Sequence, residues 1–310
     1  MKIINRIISI VSACIILFPL VGCSDYLDVS DEIAENLTLD EVFENPGYIR
    51  RWHGNLFNCI TEYSSFGKNQ PHGFSGVWVL MGGEATISGS GFTEMQSGFT
   101  AATAPFQRWT DLYKYIRDAE IFLERVEPKG DINDQFQLNE EDVKRMKAEA
   151  KFLIAYSYFS LFELYGPVPI VEELANPEEK GLDYPRASID ETIDYIDKLL
   201  VEVIESGDLP ETLITDPAAI GNDKYNLNEI VRPTVTAAKA LRAKLWVYAA
   251  SPVFNGGYKE SLDLMNVDGK KLFAPYNADK WKTAKKRLEE LFADTDKHGH
   301  KLFTVQNEDG

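Results

Sequence analysis

The sequence predicts an all-α fold of helix–loop–helix pairs, with long irregular loops between some of the helices. Three observations support this prediction. Apolar residues recur at helical spacing in several long stretches, cap-forming residues precede many of these stretches, and Gly or Pro often follows them. The chain has 310 residues, of which 44% are hydrophobic and 26% are charged, a globular balance that allows a sizeable buried core.

The N-terminal segment has the pattern of a secretory signal peptide. Lys2 and Arg6 form a short basic head, and residues 7–20 form an apolar run that is too short to span a bilayer comfortably. The run ends at Leu20-Val21-Gly22-Cys23, which is similar to a bacterial lipobox, in which the cysteine is acylated. We expect residues 1–22 to be a lipoprotein signal peptide and Cys23 to carry the lipid. The alternative is an uncleaved membrane helix with an ordinary cysteine at this position.

Charge and cysteine content agree with a lipid anchor. Residues 23–38 are polar and acidic, so we expect an acylated tether that leads into a helical domain at 39–310. The formal net charge of −17 disfavours nucleic acid as a partner, because phosphate recognition needs a basic face. The same charge repels anionic lipid headgroups, so the lipid would hold the protein on the membrane. Once the signal is removed and Cys23 carries the lipid, Cys59 is the only free thiol left, which excludes an internal disulfide.

The helical domain is predicted to begin at a capping signal. Thr38 can cap a first helix with Glu41 as its capping-box partner, and Pro46-Gly47 should break or kink this stretch. Residues 61–104 are rich in Gly, Ser and Thr and have no helical period, so they predict irregular loops. A loop of this length inside a compact domain is usually functional or disordered, and its aromatic content argues against disorder.

Five further helices are predicted in the second part of the chain, at 106–126, 139–165, 188–206, 234–250 and 277–292. Their expected N-caps are Asn139, Ser188, Thr234 or Thr236, and Asn277. The second half of the 139–165 helix is apolar on nearly every side, which predicts a position deep in the core. We expect 139–165 to pair with 188–206, and 234–250 with 277–292. Stacked pairs of this kind indicate an α-solenoid related to tetratricopeptide repeats.

Four segments of the chain stand in a recognisable order behind the lipobox. They are CSDYLD at 23–28, WTDLYKYIRDAEIFL at 109–123, AEAKFLIAYSYFSLFELYGPVPI at 148–170 and RPTVTAAKALRAKLWVYAASPVFN at 232–255. Together they resemble the SusD/RagB family of surface glycan-binding lipoproteins. The second segment is similar to a characteristic helix of that family, although Glu120 stands where asparagine is usual.

The resemblance implies a concrete biology. Members of the family are non-catalytic proteins of tetratricopeptide-like helix pairs that lie on the outer face of the outer membrane. Their partners are a SusC-like TonB-dependent transporter and a glycan or oligosaccharide, and they need no cofactor. Family members generally continue well past the point at which this chain ends, so we expect it to lack the family's C-terminal portion.

Candidate ligand-binding residues lie in the loop-rich region. Sugar recognition needs flat aromatic faces and nearby polar groups, and Trp78, Phe92 and Phe99 lie among Asn, Gln, Ser and Thr. The alternative is that these rings fill the core beneath the loops. Three other tryptophans lie at core spacing on predicted helices, and we expect them to be structural: Trp109, Trp246 and Trp281.

The sequence gives no positive sign of a metal or a cofactor. Asp294, Asp296 and Gly299 fit positions one, three and six of a calcium loop, but Val305 stands where the bidentate glutamate should be. We therefore expect a solvated turn there and no bound metal. The 49 acidic residues offer many pairs of carboxylates, so the sequence does not exclude the pair that a glycosidase needs. Two alternatives to glycan capture remain, a helical-repeat scaffold that binds only protein and a lipid-anchored glycoside hydrolase.

Overall fold

The computed structural model describes residues 37–60, 107–172, 174, 184–214 and 229–300. Within these ranges the chain is helical, with seven α-helices, two short 3₁₀-helices and no strand beyond two isolated bridges. This confirms the predicted all-α class. None of the described helices is long and apolar enough to cross a bilayer.

The first two helices meet at Asn45. α1 spans Leu39–Glu44 and α2 spans Pro46–Leu56. The predicted capping box is present at α1, where Thr38 N donates to Glu41 Oε2 at 2.7 Å and Glu41 N donates to Thr38 Oγ1 at 3.3 Å. Asn45 Oδ1 accepts from the backbone of Gly47 at 2.9 Å and caps α2, whose first residue is Pro46. The expected break is therefore also the start of a new helix, because proline at that position sacrifices no helical hydrogen bond.

The next two helices form the centre of the core. α3 spans Trp109–Arg125 and α4 spans Glu140–Tyr165. Asn139 caps α4 in a reciprocal box with Asp142, and Gly166 follows its last residue with φ 71°. The prediction that the second half of α4 lies deep in the core is confirmed, and its fully buried side chains are Leu153, Ile154, Tyr158, Phe159, Leu161 and Phe162.

The remaining helices extend the stack. α5 spans Ile189–Ser206, α6 spans Val235–Ala250 and α7 spans Asp279–Lys297. Each helix from α3 to α7 packs against the next one in the chain, which includes the two expected pairs, α4 with α5 and α6 with α7. The caps at Ser188 and Thr234 are those predicted.

A buried asparagine joins the end of α6 to the start of α7. Asn255 Nδ2 donates to Asn277 O at 3.0 Å, and Asn255 Oδ1 accepts from Asn277 N at 2.9 Å. The adjacent Gly256 has φ 72°, and a Cβ atom there would lie 2.4 Å from the backbone nitrogen of Tyr276. Only glycine allows the two backbone segments to approach this closely.

Two expectations for α7 were wrong. Trp281 was predicted to be a core residue, but it is 46% exposed, and Phe292 on the same helix is 62% exposed. Among the described helices, α7 packs chiefly against α6, so a single stripe around Ala284 is covered and the flanking apolar residues face outward. The expected turn at Asp294 is also wrong, because this residue lies within α7, where it is buried and accepts from Thr236 Oγ1 at 2.5 Å.

A buried charge cluster ties α2, α4 and the start of α6 together. The carboxylate of Glu149 is inaccessible to solvent and accepts two hydrogen bonds from Arg232, at 2.7 and 2.9 Å. Arg145 Nε lies 3.2 Å from the same carboxylate, and His53 Nε2 lies 3.0 Å from it. Burial raises the pKa of Glu149, but the contacts with His53 and Arg232 outweigh burial and hold the pKa below its usual range.

Candidate functional site

A groove of about 310 Å³ runs between α3 and the segment that follows α4. Five side chains of α3 form one wall, at the spacing of a single helix face: Trp109, Tyr113, Ile116, Arg117 and Glu120. The opposite wall consists of Pro169, Val171, Leu174 and Tyr184. Among the described residues this groove combines aromatic, aliphatic and charged side chains, so it is the candidate functional site.

The second wall exists because α4 cannot continue past Gly166. The left-handed backbone of this glycine ends the helix, and Pro167 and Pro169 prevent another one from starting. The chain that follows is held to the helices by tyrosine hydroxyls. Tyr113 Oη donates to Pro169 O at 2.6 Å, and Tyr158 Oη accepts from Val171 N at 2.9 Å. Burial raises the pKa of Tyr113, which keeps its hydroxyl protonated as the donor.

The groove has an aromatic end around Trp109. Its ring lies 5.1 Å from that of Tyr113 and 5.2 Å from that of Tyr165, measured between centroids. The guanidinium carbon of Arg186 lies 6.0 Å from the Trp109 ring centroid. Trp109 is half-buried and Tyr184 is 38% exposed, so both rings remain partly open to solvent. Trp109 was expected to be purely structural, but it packs on Tyr165 and also lines the groove.

The other end of the groove is charged. Arg117 is exposed, and Glu120 follows it by one turn. Burial raises the pKa of Glu120, an effect that Lys151 opposes and Glu172 reinforces. The groove therefore offers aromatic faces at one end and hydrogen-bonding charges at the other, which is the combination that a sugar chain requires.

The candidate residues predicted from the sequence lie elsewhere in the chain. Trp78, Phe92 and Phe99, as well as Cys23, fall outside the described residues, so their roles stay predictions. The residues just before and just after 61–106 are hydrogen-bonded to each other through Arg108. Arg108 Nη2 donates to Cys59 O at 2.7 Å, and Arg108 N donates to Tyr165 Oη at 2.8 Å.

Trp246 and Asp294 are engaged in contacts within the helical core. Trp246 Nε1 donates to Asp197 Oδ1 at 2.7 Å, as expected for a packed residue. Asp294 accepts from Thr236 and pairs with Lys239, so its carboxylate is already occupied. In the part of the chain that the structure describes, no group of three or more His, Cys, Asp or Glu side chains is placed to hold a metal ion.

Comparison with known proteins identifies the family. A family model described as starch-binding and associating with the outer membrane matches residues 25–246. Since the match covers most of the chain, this protein belongs to the SusD-like family. A search of curated proteins finds no match.

Solved structures share the fold. The chain is 21% identical to the protein BT4246, with a TM-score of 0.58 over 83% of this chain and 41% of that one. A SusD homologue from Bacteroides thetaiotaomicron is 20% identical, with a TM-score of 0.52 over 83% of this chain and 43% of that one. A SusD-like carbohydrate-binding protein from Bacteroides fragilis is 17% identical, with a TM-score of 0.50, and the match covers 81% and 41%. The chain spans less than half the length of each of these structures.

Proposed function

We propose that this protein is a surface-exposed, lipid-anchored protein of the outer membrane that binds glycans or oligosaccharides. It passes them to a SusC-like TonB-dependent transporter and does no chemistry on them. Membership of a family described as starch-binding and outer-membrane-associated supports the class of ligand and the location. The lipobox-like sequence that ends at Cys23 supports the anchor.

The observation that carries the binding role is the groove along α3. Trp109 and Tyr184 present partly exposed rings for the apolar face of a sugar, and Arg117 and Glu120 offer hydrogen-bonding partners for its hydroxyls. Tyr113 and Tyr158 fix the opposite wall, so the groove is largely formed before a ligand arrives. We propose that Trp78, Phe92 and Phe99 add further aromatic contacts.

The test is a panel of soluble polysaccharides titrated into the purified full-length chain by calorimetry. We expect at least one glycan to bind, and Tyr184→Ala and Trp109→Ala each to weaken binding about fivefold to tenfold through loss of a stacking face. Trp281→Ala is the matched control, because this tryptophan is exposed and belongs to α7 rather than to the groove. Equal weakening by all three variants would argue against the groove as the site.

A second candidate function, hydrolysis, has one specific observation in its favour. Burial and Glu172 both raise the pKa of Glu120, as a general acid would require. Glycoside hydrolysis also needs a second carboxylate at a defined separation, and Glu120 is the sole acidic residue among the described groove-lining side chains. Release of reducing sugar that disappears in Glu120→Gln would establish the hydrolase and overturn the proposal.

The third candidate is a scaffold that binds only protein. In that case a folded chain would bind no member of the glycan panel, while the transporter would still co-purify with it from outer membranes. Co-purification together with glycan binding is the result that we expect.

A further inference from the structure

We propose that the groove along α3 selects an acidic sugar chain, one that bears carboxylate or sulfate groups at intervals. This inference rests on the proposed function, because it names the class of glycan that the same groove takes. It is carried by two arginines, Arg117 and Arg186, that stand at the two ends of the groove and whose side chains make no ion pair with any residue that the structure describes.

Among the arginines that the structure describes, Arg117 and Arg186 belong to the minority whose side chains make no hydrogen bond or ion pair. The net charge is −17, so acidic side chains are plentiful, and most described arginines use them or backbone carbonyls. Those with ion pairs in the described regions include Arg50, Arg145, Arg232, Arg242 and Arg287. Arg117 and Arg186 make neither a hydrogen bond nor an ion pair through their side chains within the described residues, although both are exposed and free to do so.

The position of each arginine relates it to the groove. Arg117 is one of the lining residues. Arg186 lies over the ring of Trp109, another lining residue, and its charge also acts on the hydroxyl of Tyr113. Trp109 and Arg117 are eight positions apart on α3, which corresponds to about 12 Å along the helix axis at about 1.5 Å per residue. An extended chain that bears anionic groups at two points along its length fits this arrangement.

The described acidic residues near the groove offset these charges only in part, since Arg117 acts electrostatically on the carboxyl of Asp118 without forming an ion pair with it. Glu120 is the lining carboxyl, but it is half-buried, and Lys151 acts on it from α4. Glu172 is exposed beside Val171, and its nearest basic partner is Lys198, at 3.9 Å. Exposed guanidinium groups bind carboxylate and sulfate oxygens through paired N–H donors, so the two cations that face solvent are suited to an anionic ligand.

The aromatic faces favour a sugar over an acidic peptide. Trp109 and Tyr184 line the same groove as Arg117, and Arg186 lies over the ring of Trp109. A sugar ring can stack on these aromatic faces while its charged substituents reach the arginines. An acidic peptide would satisfy the charges but not require the stacking faces. It is one of the outcomes that the experiment separates.

The experiment compares one backbone in a charged and an uncharged form. Oligogalacturonate and its methyl ester would each be titrated into the full-length chain by calorimetry, at low and at high salt, with a neutral glucan and polyglutamate as further probes. We expect the acid form to bind at least tenfold more tightly than its ester, and the advantage to shrink at high salt. We expect Arg117→Ala and Arg186→Ala each to weaken binding of the acid form about tenfold, and binding of the ester by no more than about twofold, because the ester keeps its hydroxyl contacts but has no carboxylate to lose.

Arg51→Ala is the matched control. Arg51 is also an exposed arginine, it lies over the ring of Tyr48 at 5.7 Å, and it belongs to α2 rather than to the groove. We expect its substitution to leave every affinity unchanged. All three substitutions are at exposed positions, so the fold should persist, and a circular dichroism spectrum identical to that of the parent would confirm this.

The outcomes separate this inference from the proposed function. If the neutral glucan or the ester binds as tightly as the acid form, the preference for acidic sugars is wrong and glycan capture stands. If polyglutamate binds as tightly as oligogalacturonate, the groove recognises negative charge without requiring a sugar, and the inference is also wrong. If neither form of the galacturonate binds, this inference is wrong, whereas glycan capture fails only if no member of the wider polysaccharide panel binds.

Discussion

Glu149 shows how much of this fold depends on one charged residue in the core. Its carboxylate has no exposed surface and accepts two hydrogen bonds from Arg232. Nitrogen atoms of Arg145 and His53 lie within 3.2 Å of it. A carboxylate can be buried without a large penalty only if its partners replace water. Because these partners come from α2, from α4 and from the residues before α6, the cluster also fixes the arrangement of three segments.

Removal of this carboxylate should be costly. We expect Glu149→Ala to lower the free energy of unfolding by about 3–5 kcal/mol, because it leaves Arg232 partly buried without its main anion. Glu202→Ala is the control, since Glu202 makes an ion pair with Lys151 at 2.9 Å that is over a third exposed on both sides. Its loss should cost less than about 1 kcal/mol. Urea unfolding followed by circular dichroism measures both, and equal costs would contradict the role given to the cluster.

The same carboxylate should make stability fall in acid. The pKa of Glu149 is lower in the folded state than its usual value, so the unfolded chain binds more protons as the pH falls. The stabilisation is fully present above the unfolded pKa of about 4.3 and is lost as the pH falls through the folded value. We expect the difference in stability between the parent and Glu149→Ala to shrink progressively below about pH 5. A difference that stays constant down to pH 3 would show that the charge of Glu149 contributes nothing.

Trp109 illustrates what sequence reasoning could not reach at the residue scale. Its helical spacing predicted a structural residue, and its packing on Tyr165 agrees. Its second role depends on residues 167–172 and Leu174, which lie beside α3 because α4 ends before Gly166. The local sequence around Trp109 does not indicate that the segment after α4 lies against α3. The groove is formed by residues distant in sequence, so it became visible only in the structure.

At the scale of the helix, local signals predicted well. The capping box of Ser188 and Glu191 joins residues three apart, and it is formed in the structure with bonds of 2.8 and 3.3 Å. Long-range packing was predicted less well. Trp281 follows a pattern that suits an inward face, but burial depends on how many helices surround α7, and the described part of the fold offers chiefly α6. Apolar spacing therefore located the helix without locating its solvent side.

Two glycines at helix positions should respond in opposite directions to the same substitution. Gly207 follows α5 with φ 74°, a conformation in which a side chain is strained, so we expect Gly207→Ala to destabilise the protein by about 1 kcal/mol. Gly54 lies within α2, where an added Cβ meets nothing within 4 Å. Gly54→Ala should therefore stabilise by about 0.5–1 kcal/mol, because alanine favours the helix. Thermal unfolding of the two variants tests the pair, and shifts of the same sign would contradict the assigned cap.

At the scale of the whole molecule, the acidic charge and the proposed anchor belong together. A net charge of −17 gives the protein no electrostatic attraction to an anionic membrane. We therefore propose that the acyl chains on Cys23 supply the attachment. The family-level association with the outer membrane agrees with this location.

This proposal makes a simple prediction about fractionation. We expect the parent chain to sediment with outer membranes and to incorporate a fatty-acid label, whereas Cys23→Ser should lose the label and leave the membrane fraction. Cys59→Ser is the control, because this cysteine is buried and burial raises the pKa of its thiol to about 11, so it is inaccessible to acylation. Label that remains in Cys23→Ser would place the lipid elsewhere.

One side of helix α3 packs in the core, and the other side lines the groove. Leu112, Ala119 and Phe122 are almost fully buried on one side, whereas Arg117 and Glu120 meet the groove on the other. Substitutions at exposed groove positions such as Arg117 should therefore cost little stability. Under the proposed function, related chains with such a helix could change the ligand that they bind by single substitutions on its exposed side, while the buried side keeps the scaffold unchanged.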